Sequence, residues 1–109
     1  MEEQKMHITI NAKSGRIYLP KEAVDFLNTR QVKIEVEDYF FTMHKCTQQE
    51  NGIKINKDNV IRSRAVIQQL YDFYNFRQNE KLELKITDLI TEEQSPTIYI
   101  STSLPRKIQ

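Results

Sequence analysis

The sequence predicts a mostly-β domain with two helices, an α+β chain in which a strand–helix–strand unit occurs twice. Three observations predict it. First, Val32-Lys33-Ile34-Glu35-Val36-Glu37 and Leu82-Glu83-Leu84-Lys85-Ile86-Thr87 alternate apolar and polar residues with a period of two. That is the pattern of a half-buried strand with its charge on the wet face. Second, two other stretches carry apolar residues at helical spacing. Third, the order strand, turn, helix, alternating strand, further strand runs through residues 6–46 and again through 53–103, with 47–52 as linker and the whole chain as one domain.

Taken in order, Met6–Ile10 and Arg16–Leu19 read as short strands, rich in β-branched and aromatic residues, around a turn in which Gly15 supplies positive φ. Pro20 opens a helix over Lys21–Leu27, since its missing N–H has no partner at a first helical position, and Asn28 closes it in the left-handed conformation. After the alternating strand, Tyr39–Lys45 is a further strand. Its run Tyr39-Phe40-Phe41 sets rings on both faces and implies burial on both. Gly52–Ile55 begins the second unit. Ser63 is the N-cap of a helix over about 65–77, whose stripe of Val66, Ile67, Leu70, Tyr71, Phe73 and Tyr74 suits a core or a subunit interface. Phe26-Leu27 aligns with Leu70-Tyr71, and Val32–Asp38 with Leu82–Asp88. Residues 91–96 read as a soft loop before the strand Thr97–Ser101, and residues 104–109 as a frayed tail.

Composition narrows the function. Of 109 residues, 39% are hydrophobic and 28% charged, enough apolar content for a folded core. A chain this short buries about two-thirds of its unfolded surface, so a homodimer formed through the aromatic face of the second helix is expected. The net charge of +1 sets up no global field. No apolar run approaches the ~20 residues of a membrane span, and the polar start Met-Glu-Glu-Gln-Lys is no signal peptide, so a cytoplasmic location is expected. Enzyme chemistry has little to stand on. His44 and Cys46 lie two apart on one strand face, but His7 is the only other residue of either type, which leaves a metal site short of ligands. Cys46 cannot form an internal disulfide and reads as a small buried hydrophobe. There is no phosphate-cradling glycine-rich loop, and no metal or cofactor is expected.

Charge is nonetheless clustered. Between residues 13 and 33, Lys13, Arg16, Lys21, Arg30 and Lys33 face only Glu22 and Asp25; between 54 and 64, Lys54, Lys57, Arg62 and Arg64 face only Asp58. Both clusters precede or bracket the helix of their own unit.

The string Lys13-Ser14-Gly15-Arg16-Ile17-Tyr18-Leu19-Pro20-Lys21-Glu22-Ala23, followed by a short helix and Val32-Lys33-Ile34-Glu35-Val36-Glu37-Asp38, resembles the SpoVT-AbrB/MazE family over about residues 6–46. The resemblance implies a swapped-hairpin β-barrel in which two copies of the unit interleave and basic loop residues meet duplex DNA. Asn28 stands where the family ends its helix with Gly, and Val60-Ile61-Arg62-Ser63-Arg64 lacks both the Gly before its Arg and the Pro at its helix start. The second half then reads as a diverged copy that completes the barrel within one chain. The resemblance implies DNA contacts for Arg16, Lys13, Lys21 and Arg30; Arg62 and Arg64 join them as analogues by place in the repeat. The expected function is transcriptional regulation through duplex DNA. The alternatives are an antitoxin, which here lacks an acidic-apolar tail to fold on a toxin, and a protein-interaction module that kept the barrel and lost its DNA contacts.

Overall fold

The computed structural model describes residues 6–46, 51–103 and 105–108. Its elements run β1 (His7–Asn11), β2 (Arg16–Tyr18), α1 (Lys21–Leu27), β3 (Gln31–Val36), β4 (Phe40–Lys45), β5 (Ile53–Lys54), β6 (Val60–Arg62), α2 (Arg64–Tyr74), β7 (Lys81–Glu92), β8 (Ser95–Ser101) and β9 (Arg106–Ile108). The fold is mostly strand with two helices, as the sequence predicts, and the strands form one nearly closed antiparallel barrel.

The strand order is β5-β3-β4-β8-β7-β1-β2-β6, with β9 on β7. Its two ends, β5 and β6, are neighbours in sequence. In the turn between them the Asn56 backbone N–H and side-chain amide both donate to the Val60 carbonyl (2.9 and 3.0 Å). The pairings interleave the two halves of the chain: β1 lies on β7, β3 on β5, β4 on β8 and β2 on β6. Inside sit the alternate residues of each strand, Ile8, Ile10, Ile17, Val32, Phe41, Met43, Ile61, Leu84, Ile98 and Ile100, all fully buried. The helices add Ala23, Leu27, Leu70 and Tyr71 to the same core.

Local chemistry sets the helix ends. The carbonyl of Pro20 accepts from Ala23 and Val24, so Pro20 occupies the N-cap and Lys21 is the first helical residue. Asn28 closes α1 at φ 53° with its N–H on the Val24 carbonyl. Ser63 caps α2, its hydroxyl accepting from Val66 N at 3.2 Å. α2 stops at Tyr74, short of the expected Arg77, because Asn75 turns left-handed at φ 57° and the Phe76 N–H folds back to the Tyr71 carbonyl. Phe76 then packs edge-on against Tyr71.

Four other expectations are corrected. Residues 91–96 form a tight hairpin, with Glu93 and Gln94 both at positive φ and β7 and β8 paired up to Glu92↔Ser95. β7 therefore runs to Glu92, its alternation broken only by a bulge between Ile86 and Asp88. The tail holds β9, anchored by Arg106 on Glu83 (3.7 Å) and Lys107 on Glu80 (2.9 Å). Tyr39 is 73% exposed in the bend before β4, Phe41 is fully buried, and Phe40 on the opposite face is half-buried against Tyr99, so the aromatic run is fully buried on one face only. Most of the expected linker, residues 47–50, lies outside the described residues.

The aromatic stripe of α2 points mainly inward. Tyr71 is buried, and its hydroxyl donates to the Glu80 carbonyl. The Tyr74 hydroxyl reaches the Glu37 and Phe40 carbonyls (2.8 and 2.7 Å), fastening the β3–β4 turn to the helix. Burial, with the Glu80 carboxylate adding to it, pushes the Tyr71 phenol up to about 12 from 10.0. A raised folded-state value means that the stability this group contributes is fully present below pH 10 and is lost as pH climbs from 10 towards 12. In denaturant melts at about pH 9 and about pH 11.5, the wild type should lose more stability than Tyr71→Phe, which has no proton to release there.

Candidate nucleic-acid interface

β2 and β6 pair in the register Arg16↔Arg62, Ile17↔Ile61, Tyr18↔Val60. Ile17 and Ile61 fill the core, so Arg16 and Arg62, one position away, stand side by side on the outer face. The row continues across β1 and β7, because Arg16 pairs with Asn11 and Asn11 with Lys81. With strands ~4.8 Å apart, four strands carry three cations and one amide over roughly 14 Å. Like charges directly opposite one another on a sheet are destabilising. Folding alone therefore gives no reason for an arginine pair here.

Each end of this row opens into a concavity. At the Lys81 end, Lys13, Lys81 and Lys107 gather around Asn11, Asn79 and Glu80. The Asn11 side chain builds that turn by accepting from the Lys13 and Ser14 N–H groups (3.1 and 3.3 Å). At the Arg62 end, Arg30, Lys54, Ile55, Asn56, Lys57, Asp58 and Arg62 line a cup of about 640 Å³. Asp58 meets Arg62 through two contacts, Oδ1 to Nη1 at 3.2 Å and Oδ2 to Nη2 at 2.6 Å. Hydrogen bonding to Arg62 holds the Asp58 carboxyl below its usual range, and the same bond raises Arg62 further. Arg30 is a strut as well as a cation: its Nη1 donates to the Asn56 carbonyl (2.6 Å) and to Asn59 Oδ1 (3.1 Å).

Of the six residues singled out from sequence, the structure strings four along this band: Lys13, Arg16, Arg62 and Arg30. Arg64 adjoins it, its stem lying over Gly15, where an added Cβ would sit 2.7 Å from Arg64 Cγ. Lys21 is exposed at the start of α1, and among the described residues no hydrogen bond or ion pair joins it to the others. The pairing also revises how the arginines relate. Leu19 N donates to the Asn59 carbonyl and Ser63 N to the Gly15 carbonyl, the same bond displaced by 44 residues. Gly15 and Asn59 correspond on that displacement, both left-handed at φ 71° and 64°. Arg62 then corresponds to Tyr18, and Arg64 to Pro20; Arg16 and Arg62 are cross-strand partners, not counterparts by place.

Sequence reasoning left Asn11, Lys54, Lys57 and Lys81 out of the site. Lys54 and Lys57 were visible as part of the second basic cluster. Lys81 joins only through the β1–β7 register, which no local pattern encodes. The far side of the barrel has the opposite character. There the cross-strand row is Glu35, Thr42, Tyr99 and Asp88, and Glu35, Glu92 and Glu93 share a concavity with His44 and Lys45. His44 Nε2 sits 3.3 Å from Glu35, and the Tyr99 hydroxyl bonds to Glu92. Glu35, Asp88, Glu92 and Glu93 thus lie away from the arginine row, while Asp58, Glu80 and Glu83 pair with cations beside it.

Gly15 is the tightest point of the band. Gly15→Ala would impose a Cβ on a left-handed residue and on the Arg64 stem, and should destabilise the protein by about 1–2 kcal/mol in urea melts. Equal midpoints for the two proteins would remove the close approach from the account.

Compared with known proteins, the chain matches no family model, no curated protein and no solved structure.

Proposed function

We propose that the protein is a DNA-binding transcriptional regulator of the AbrB-like type, holding duplex DNA against the outer face of β6, β2, β1 and β7. The observation that carries this reading is the register that sets Arg16 beside Arg62 and continues to Asn11 and Lys81. Arginine and lysine in such a row neutralise backbone phosphates, and a guanidinium or amide reaching further can read base edges. The acidic cluster of Glu35, Glu92 and Glu93 on the far side supports it too, since it repels the duplex and orients the approach. The interleaved pairing of the two halves, with hydrogen bonds repeated at a displacement of 44 residues, supports reading them as diverged copies that close one barrel.

One observation favours a protein-interaction module instead. Phe73 is 52% exposed at a groove of about 560 Å³ lined by Ile34, Val36, Ile53, Val66 and Leu70. One experiment separates the two. Fluorescence anisotropy of a labelled mixed-sequence duplex, titrated at ~50 and ~200 mM salt, should show binding that weakens steeply with salt. Arg16→Ala combined with Arg62→Ala should make the slope of log K against log salt shallower by roughly 1.8, at about 0.9 per phosphate contact. An unchanged slope removes the arginine row from the contact set, and no binding at the lower salt hands the function to the protein-interaction reading.

A further inference from the structure

The cup at the Arg62 end is built differently from the rest of the band. Its floor is a rigid turn: Asn59 N donates to the Asn56 carbonyl at 2.9 Å, Asn56 is tied to Val60, and Arg30 is tied to both Asn56 and Asn59. That turn holds Asp58 with both oxygens against the guanidinium fork of Arg62. Among the described residues, Asp58 is the only carboxylate lining the cup, and it is committed to Arg62. Lys54 and Lys57 line the same cup, and among the described residues no carboxylate pairs with either. A carboxylate and a phosphate diester each present two oxygens to a guanidinium in the same forked geometry. The Asp58 carboxylate therefore sits where a phosphate would sit.

We propose that the cup of Arg30, Lys54, Lys57 and Arg62 seats one backbone phosphate of the duplex, and that Asp58 is the resident competitor for that seat. This rests on the DNA-binding reading and adds to it the residue that limits its affinity. Displacing Asp58 from Arg62 opposes each binding event, so the protein releases arbitrary duplex faster than its cation count implies. Asp58 is a positioning residue: it acts through Arg62 and makes no favourable contact with DNA.

The test uses the full chain as wild type, Asp58→Asn, and the pair Lys54→Ala with Lys57→Ala. Each is titrated with mixed-sequence duplex over a salt series and, separately, with inorganic pyrophosphate while the Arg62 side-chain N–H signals are followed by NMR. Asp58→Asn should bind duplex about two- to fivefold more tightly, the scale of releasing one exposed ion pair. Its salt slope should steepen by about 0.9, and that of the lysine pair should become shallower by up to about 0.9, the share of the one phosphate the cup seats. If Asp58→Asn matches a DNA-binding wild type in affinity and slope, the competitor is overturned while the DNA-binding reading stands. If the wild type binds no duplex, that reading falls and pyrophosphate decides the seat. Tighter binding to Asp58→Asn upholds it, and equal or absent binding overturns it. The lysine pair leaves the Asn56–Asn59 turn intact, so its slope is informative even if Asp58→Asn disturbs that turn.

Discussion

Strands β2 and β6 are three residues long, and most of the architecture depends on their pairing. Ile17↔Ile61 forms its centre, inside the core, and the reciprocal bonds from Leu19 N to Asn59 and from Ser63 N to Gly15 close it on either side. Those bonds need left-handed residues at 15 and 59, supplied by Gly and by Asn, which tolerates αL best among residues with a side chain. So short a pair is marginal alone. It is stabilised because β1 lies on β7 and β5 on β3, making each half of the chain the partner that the other lacks.

The same pairing creates the electrostatics. With isoleucines pointing in, the residues beside them point out, and the antiparallel register sets Arg16 opposite Arg62. The turns flanking this pair then converge on it. The Gly15 turn brings Lys13 and the Arg64 stem, and the Asn56–Asn59 turn brings Asp58, Lys57 and the Arg30 strut. Glu35 of β3 and Asp88 and Glu92 of β7 lie on the far face, whereas Asp58, Glu80 and Glu83 are each paired with a cation near the arginine row. A composition that is almost neutral conceals the arginine row, since position in the barrel, not net charge, decides the local field.

The parts of the fold legible in the sequence were those with local causes. α1 has its ends where Pro20 and Asn28 put them, and Ser63 caps α2 through its own hydroxyl. What stayed hidden has distant causes. Phe76 extends the apolar stripe of α2 in sequence but packs back onto Tyr71 after Asn75 turns the chain. Glu93 and Gln94 adopt a hairpin turn without the Gly or Asn that usually announces one. Arg106–Ile108 becomes a strand because it pairs with Lys81–Glu83 of β7, with Glu83 and the preceding Glu80 meeting its cations. The candidate interface divides in the same way. Its arginines and lysines were visible as clusters, whereas the rows that join them depend on registers between residues far apart in sequence.

On the proposed DNA-binding reading, one face of the barrel holds the duplex. That reading is tested most directly by adding unlabelled mixed-sequence duplex to ¹⁵N-labelled protein at ~50 mM salt and mapping the amide shifts, low salt being where phosphate contacts are strongest. Shifts are expected at Lys13, Arg16, Lys57, Arg62 and Lys81, with Glu35, Asp88 and Glu92 on the opposite face unmoved. Shifts centred on Val66, Phe73 and the α2 groove, or none at all, would contradict that reading.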